Sequence, residues 1–413
     1  MFNNNYIPFL LDLKDPNLDF SETTCEIVKI KNVETKVISA TLKNKPHKCP
    51  YCEEEKIIIH GYKTSKIRLL PSAEYNVILK LKKQRYKCKC CGKTFISKTD
   101  EVAEHCQIAK KVKLAIYLKT QEKISEKDIA KQYNVSSNTI NRVIKAAQSY
   151  NTNYNYLPES LCFDEFKSTK DAEGAMSFIF VDAKAHKIVD ILENRKLSKL
   201  IKYFMRYSKK ARDNVKFIVM DMYTPYISLV KECFRNAQII FDKFHIVNLL
   251  SRALDKTRIK VMNEQKENYN KFKRYYKLLL KKAYELDQVH YEKRICFNKM
   301  MSQSDIVDYL LEQDKELKNT YKIYQEILYA INFKKPELLE KLIDSNVTGI
   351  SEKMQTALKT LKKHKEYIIN AIKYDLNNGV IEGINNKIKA LKRVAFGYRS
   401  FYNFRKRIFL INQ

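Results

Sequence analysis

A chain of 413 residues exceeds one ordinary core, and with 45% apolar residues it has ample material to bury, so several domains are expected. Its 78 Lys and Arg outweigh 47 Asp and Glu to give a formal charge of +31, the footprint of a protein that meets a polyanion, most often nucleic acid. A membrane partner is set aside, because the chain has neither an apolar run of spanning length nor a Trp for an interfacial belt.

The opening MFNNNYIPFLLDLKDP lacks the basic start and long apolar stretch of a secretory leader, so a cytoplasmic location is expected. Residues 1–45 mix short apolar alternations (Ile27, Val28, Ile30, then Val33, Val37, Ile38) with polar breaks, which predicts short strands. Residues 46–98 hold two cysteine knuckles separated by β-like alternation, IIIHGYKTSKIRLLP and YNVILKLKKQRYKC. Ten cysteines in a cytoplasmic chain read as thiols and metal ligands rather than disulfides, and Cys25, Cys106, Cys162, Cys233 and Cys296 are scattered enough to be inert. Structural Zn2+ needs four ligands in a tetrahedron, and a CxxC turn sets two thiolates on one side of the ion. Cys49 and Cys52 supply one pair. Cys88 with Cys91 is favoured for the other, because it keeps the two-residue spacing and Gly92 follows; a Cys88/Cys90 pair stays open. The bland alternative is a chance cluster of buried thiols.

Residues 105–150 have helical periodicity and contain SEKDIAKQYNVSSNTINRVI, from Ser125 to Ile144. Ser125 with Asp128 forms a capping pattern that opens one helix, and Ser136 can cap the next. Ile129 and Ala130 then face Val135, Ile140, Val143 and Ile144 across a turn at Asn134. That pattern fits a helix-turn-helix whose second helix offers Ser137, Asn138, Asn141 and Arg142 to a major groove. A plain helical hairpin with a polar outer face explains the pattern alone equally well; the neighbouring knuckles and the overall charge favour DNA.

Strands are expected at SLCFDEF, MSFIFVDA, HKIVDILENR, NVKFIVMD and AQIIFDKF, interrupted by a basic helix around 197–212. From 226 to 378 the only breakers are Pro336 and Gly349, which predicts a mostly helical block. Two-metal phosphodiester cleavage needs carboxylates converging from different elements on ions about 3.5–4 Å apart. Asp164 closes SLCFDEF on an acid and Asp221 ends NVKFIVMD, though a strand-end Asp taken singly is more often a cap or turn residue. Glu382 is more telling. In NNGVIEGINNKIKALKRVAFGYRSFYNFRKR, Ile381, Ile384, Ile388 and Leu391 make a core face, beside a polar stripe of Glu382, Asn385, Asn386, Lys389 and Arg393. An acid in the first turn is favoured by the helix dipole and kept ionised for metal. Lys389, Arg393, Arg399, Arg405, Lys406 and Arg407 are expected to meet phosphates, while Tyr398, Phe401, Tyr402 and Phe404 are read first as packing.

These segments together resemble the DDE transposases of bacterial insertion sequences in the IS-L-three group, over essentially the whole chain. The residues carrying the resemblance are CPYC with KCKCCGKTF, the helix-turn-helix, CFDEF, VMDMYTPY, FDKFHIV and the long contiguous NNGVIEGINNKIKALKRVAFGYRSFYNFRKRI, the last being the most specific. The resemblance implies a multidomain α+β chain: a zinc-ribbon-like domain, a helix-turn-helix, and a ribonuclease H-like mixed α/β catalytic domain with a large helical insertion. It implies the first part of the catalytic domain at 155–245, the insertion at 246–376, and the domain's final helix and basic tail at 377–413. Its acidic triad maps onto Asp164, Asp221 and Glu382, holding two Mg2+ or Mn2+ ions. Asp242 and His245 are placed near the site without a role, and the extra cysteine in KCKCCG departs from the family pattern.

The activity so implied is strand cleavage and transfer by in-line attack on phosphorus, first by water and then by a 3′-hydroxyl, with no covalent protein–DNA intermediate. Tyr223 is accordingly read as packing. The expected partners are duplex DNA at the inverted-repeat ends of the element, target DNA in the nucleoid, and a second copy of the chain to hold both ends. Rival readings are an inactive transposase-derived DNA-binding regulator, a ribonuclease H-like nuclease, and a basic RNA- or ribosome-associated zinc protein that leaves the carboxylates unexplained.

Overall fold

The computed structural model describes residues 6–44, 46–147, 152–374 and 376–412. It divides into two compact units, residues 1–151 with 387–413, and residues 152–386. Among the described residues no helix is long and apolar enough to cross a membrane.

In the first unit α1 (Tyr6–Leu10) precedes a mixed sheet of β1 (Leu18–Asp19), β2 (Cys25–Ile30), β3 (Val33–Leu42), β4 (Ile57–Arg68), β5 (Asn76–Cys88) and β6 (Thr94–Ile96). β3 pairs antiparallel with β1 and β2 and parallel with β5, which runs antiparallel to β4 and β6. Lys31 and Asn32 join β2 to β3 with φ of 52° and 62°, the left-handed pair that matches the twist of a tight hairpin. Alternation in β5 buries Val77, Leu79 and Leu81 against Ile38, Leu42 and Ile67. Three helices close this core, α2 (Lys110–Lys119), α3 (Glu126–Gln132) and α4 (Ser137–Ala147), contributing Val112, Ile116, Ile129, Ile140 and Ile144. The predicted cap holds: Asp128 N–H donates to Ser125 Oγ at 3.1 Å, and Ser125 Oγ–H to Asp128 Oδ2 at 2.6 Å. Ser136 accepts from Thr139 N at 3.3 Å at the start of α4, and Asn134 makes the turn between α3 and α4 with φ of 48°.

The second unit is built on a five-stranded sheet. β7 (Ser160–Lys167), β8 (Met176–Asp182) and β9 (Ile188–Leu192) form an antiparallel meander, followed by α5 (Leu197–Phe204) and α6 (Lys209–Asp213). β10 (Phe217–Met220), α7 (Thr224–Cys233) and β11 (Gln238–Phe241) then add two strands parallel to β7, giving the order β11-β10-β7-β8-β9. The continuous apolar runs of these strands are those of a sheet covered on both faces. Phe163, Phe178, Phe180, Phe204 and Phe234 are fully buried, with Phe163 stacked on Phe204 at 5.8 Å.

A helical block follows: α8 (Lys243–Glu264), α9 (Tyr269–Leu280), a small hairpin of β12 (Glu292–Arg294) and β13 (Lys299–Met301), then α10 (Gln303–Glu312), α11 (Lys315–Asn332), α12 (Pro336–Asp344), α13 (Glu352–Lys363) and α14 (Lys365–Lys373). α14 returns to the sheet, where Asn370 Nδ2 donates to Ile239 O of β11 at 3.1 Å and Tyr367 packs on Phe241 at 5.4 Å. The chain ends in α15 (Gly379–Val394), which begins in the second unit and ends in the first, and α16 (Phe401–Leu410).

Candidate active site

The three parallel strands present acids at one level. β7 pairs Cys162 with Val219, and β10 pairs Val219 with Ile240. Carrying each register on by two residues aligns Asp164, Asp221 and Asp242 across the sheet. The sequence singled out the first two as strand-end acids and left Asp242 without a role; the register makes it the third in the row. The carboxyl ends of parallel strands are where sheets of this kind bind ligands.

Side-chain contacts separate the roles. Asp164 accepts from Glu165 N through Oδ1 and from Asn385 Nδ2 through Oδ2, both at 2.7 Å. Asp242 caps α8, accepting from Phe244 N at 3.3 Å, which places His245 in the first turn of that helix. Asp221, Asp242 and His245 each offer a ligand atom, all within 4.8 Å of one another. Asp221 Oδ1 lies 3.2 Å from His245 Nε2, yet it is buried with no hydrogen-bond partner. Glu382 stands exposed in the first turn of α15, and the buried Asn385 one turn later is the residue that reaches Asp164.

The electrostatics follow from this crowding. Burial, then the charges of Asp164, Asp242 and Glu165, pushes the Asp221 carboxyl up to about 7. Burial also raises Asp164 and Asp242, and the charge of Glu382 adds to the rise at Asp242. Burial is the first cause at all three acids, and it is offset only in part by His245 at Asp164 and by His245 and Lys243 at Asp242. The orphaned Asp221 Oδ1 and an oxygen-rich donor set fit a hard divalent cation, with His245 as a nitrogen donor beside it.

Glu165, Arg195 and Tyr226 were not visible as site residues from spacing. Arg195 pairs with Glu165 Oε2, to which Tyr226 O–H also donates at 3.1 Å, and the guanidinium lies 5.0 Å from the centre of the Tyr223 ring. With Asp164, Asp221 and His245 these residues line a cleft of about 340 Å³. The doublet Asp164-Glu165 in CFDEF was the one available signal, and nothing local announced Arg195. Asn385, by contrast, was already in the polar stripe with Glu382.

The cysteines form a second cluster, in the first unit. Cys49, Cys52, Cys88 and Cys91 bring their sulfurs within 4.8 Å of one another, with Cys49–Cys91 at 3.7 Å and Cys52–Cys88 at 3.6 Å. Four thiolates bonded to zinc at about 2.3 Å in a tetrahedron sit about 3.8 Å apart, so this donor set fits the ion. Both knuckles repeat one hydrogen-bond pattern. Cys49 N donates to Glu54 O and Glu53 N to Cys49 O, both at 2.9 Å; Cys88 N donates to Lys93 O at 3.0 Å and Gly92 N to Cys88 O at 3.1 Å. The fifth residue of each turn is left-handed, Glu53 at φ 60° and Gly92 at 69°, which suits glycine at the second. Cys90 is exposed and lies outside the cluster. The backbone N–H of Cys91 is the first of the donors that hold the Cys88 thiol down to about 7.

Residues 161–408 match a family described as transposase, of the ISL3 type, and residues 45–91 match the zinc-finger of transposase IS204/IS1001/IS1096/IS1165. The chain belongs to the ISL3 transposase family. It is 23% identical over 364 residues, 85% of each chain, to the transposase for insertion sequence element IS1001 of Bordetella parapertussis. A stretch of 110 residues, 27% of this chain, is 41% identical to a Lactococcus lactis subsp. lactis protein named ATP-dependent protease, of whose length it covers 35%. Membership makes the protein an enzyme that cleaves and transfers DNA strands.

The residues expected to meet DNA fall into two groups in this transposase. Ser137, Asn138 and Arg142 of α4 are exposed, and so are Lys389, Arg393 and Arg399; Asn141 is half-buried and donates to Ser137 O at 3.2 Å. The second group is occupied within the fold. Arg407 is fully buried, its guanidinium donating to the carbonyls of Thr120, Glu122 and Ile124 after α2. Lys406 is buried with its ammonium 4.6 Å from the Tyr402 ring, and Arg405 is half-buried 5.0 Å from the Phe409 ring. The alternating cations of YRSFYNFRKR gave no sign of which would turn inward.

Proposed function

We propose that Asp164, Asp221 and Glu382 form the catalytic centre with which this transposase cuts and joins the ends of its insertion sequence. The observation that carries the reading is the row of Asp164, Asp221 and Asp242 at the ends of neighbouring parallel strands, lining or flanking a cleft of about 340 Å³, with Glu382 near enough for its charge to act on Asp242. The strand order β11-β10-β7-β8-β9, with a meander and two parallel additions, supports a ribonuclease H-like catalytic domain interrupted by the helical block from α8 to α14.

Asp164 and Asp221 would hold divalent ions, Mg2+ or Mn2+, and Glu382, in the positive first turn of α15, would complete the set. Two such ions supply an ionised water nucleophile and neutralise charge on the leaving oxygen. Asn385 fixes the Asp164 carboxylate through its amide, and Arg195 is held by Glu165 with its face to Tyr223, at the wall of the cleft where a phosphate would lie. No Ser or Tyr nucleophile is required, because the attacking oxygen is water or the DNA 3′-hydroxyl.

The four cysteines would hold structural Zn2+. The turn between α3 and α4 supports a helix-turn-helix in which Ser137, Asn138, Asn141 and Arg142 read the element's inverted-repeat ends, with Lys389, Arg393 and Arg399 as phosphate contacts. A homodimer would hold both ends together for transfer into target DNA in the nucleoid.

The test is to incubate the purified protein with labelled duplex from the DNA flanking its own gene, in Mg2+ or Mn2+, beside Glu382→Gln. Metal-dependent nicking at one position near a repeat end, absent in the variant, is the expected result. Equal nicking by Glu382→Gln removes the third carboxylate from the centre. Tight binding without cleavage by the unaltered chain turns the reading to a DNA-binding regulator.

A further inference from the structure

Four cations of the first unit, drawn from four separate segments, open onto one groove of about 620 Å³. Lys31 comes from the left-handed turn between β2 and β3, Arg68 from the end of β4, Lys113 from α2 and Arg142 from α4. The placement is fixed by backbone contacts. Arg68 N donates to Gln107 O at 2.9 Å and Ala109 N to Arg68 O at 3.0 Å, which stitches the segment before α2 alongside the end of β4. Ser136, which caps α4, stands in the same wall.

Among the described residues no carboxylate lines this groove. Among the described residues none of the four cations is in an ion pair, although neighbours are: Lys111 of the same helix α2 meets Asp12 at 2.8 Å, and Lys43 meets Asp19 at 2.5 Å. Like charges brought together without counter-charge repel, so the arrangement is disfavoured unless an anion enters, and a concave wall concentrates the resulting positive potential. The groove runs into the N-terminal turn of α4, where Ser137 and Asn138 are exposed.

We propose that this groove is a sequence-independent clamp for the phosphates of duplex DNA beside the stretch that α4 reads, with Lys31, Arg68 and Lys113 as its contacts. The proposal rests on the DNA-binding reading of α4 and adds three residues that the sequence pattern did not single out. Duplex DNA is favoured over a single phosphorylated ligand because the groove opens beside the first turn of α4, so a duplex seated on that helix presents its backbone to these cations. Phosphate contacts of this kind set register and orientation while the base-edge contacts specify.

The experiment measures binding of the full chain to two duplexes of equal length, one from the DNA flanking its gene and one unrelated, across a salt series. Arg68→Gln, Lys113→Gln and the double variant are compared with the unaltered chain, with thermal melting to check that each is folded. Arg68 is exposed and Lys113 half-buried, and Gln keeps most of each stem. Each lost contact should flatten the slope of log K against log salt by about 0.9 and weaken both duplexes by the same factor. Unchanged slopes in folded variants, while the unaltered chain binds both duplexes with strong salt dependence, overturn the clamp and leave the reading of α4 standing. A loss confined to the flanking duplex also overturns it, since that marks base reading. Salt-independent binding by the unaltered chain overturns the DNA-binding reading beneath it.

Discussion

The two clusters in this transposase whose donor sets fit a metal are assembled in opposite ways. The thiol cluster is local: each knuckle is a turn closed by its own backbone hydrogen bonds, and one long hairpin, β4 with β5, brings the two together. The acidic cluster is non-local. Asp164, Asp221 and Asp242, far apart in sequence, are aligned because three strands run parallel in one register, and His245 joins Asp221 and Asp242 from the helix that Asp242 caps. A cluster made by turns is designed around its ion and has little to hold it without one. A cluster made by a sheet has its framework already, stabilised by a buried aromatic core, and an ion adjusts the electrostatics of a structure that exists without it.

The sharpest way to break this contrast is to remove zinc. Cys91→Ser should abolish stoichiometric zinc in the purified chain, and with it the order of the two knuckles, while the core end of β4 and β5 stays packed. Structural zinc in small modules is worth on the order of 10 kcal/mol or more, which the knuckle end of the hairpin, where Ile58, Ile59 and Tyr62 are exposed, cannot replace. Cys90→Ser should leave zinc content and melting unchanged, since its side chain lies outside the cluster. Zinc retained in Cys91→Ser and lost in Cys90→Ser would mean that the knuckle closes the other way. Chelation should leave the second unit's amide protection intact; loss of protection across β7 to β11 would erase the distinction between the clusters.

A smaller effect is expected at His245. Its Nε2 lies 3.2 Å from the orphaned Asp221 oxygen, so it either ligates an ion or holds the carboxylate for one. His245→Ala should lower Mn2+ affinity, read by titration, and DNA cleavage together by roughly 10–100-fold, the usual range for residues that orient metal ligands. The core of the sheet is untouched by this change, so melting should hold. Unaltered Mn2+ affinity and cleavage would remove His245 from the centre.

The contrast also explains what could be read from the residues alone. Turns carry their signature in spacing, so CPYC and KCKCCG announced a metal site, and the repeat of one hydrogen-bond pattern at Cys49 and Cys88 is what selects Cys91 over Cys90 in this structure. Ser125 and Ser136 were legible for the same reason, since a cap acts within four residues. The strands were legible as apolar runs, and all five appear as β7 to β11. The register between β10 and β11 was not, because pairing of distant strands leaves no mark in either one, and Asp242 therefore had no role until Asp221 lay beside it. Arg407 shows the limit from the other side: a cation among cations reads as surface, and only the carbonyls of Thr120, Glu122 and Ile124 just past the end of α2, far away in sequence, give it a reason to be buried.

The least of the expected effects is the most direct measure of how far the acids are raised. An acid whose folded value is raised binds its proton more tightly folded than unfolded. Asp221, lifted from 3.8 to about 7, therefore holds in the folded state a proton that the unfolded chain has lost between those values. Across that window the unfolded chain carries fewer protons, so stability of the metal-free protein must fall as pH rises, and the fall should level off above about 7. Asp164 and Asp242 are raised by burial and act in the same direction. Melting of the chelated protein between pH 4 and 8 should show this decline, Asp221→Asn should flatten it, and saturating Mg2+ or Mn2+ should recover stability most at the upper end, where the carboxylates are ionised. A stability that rises across the window, or a slope that Asp221→Asn leaves unchanged, would mean that the acids are balanced by something other than an ion, and the row at the sheet's edge would then be a feature of folding rather than of catalysis.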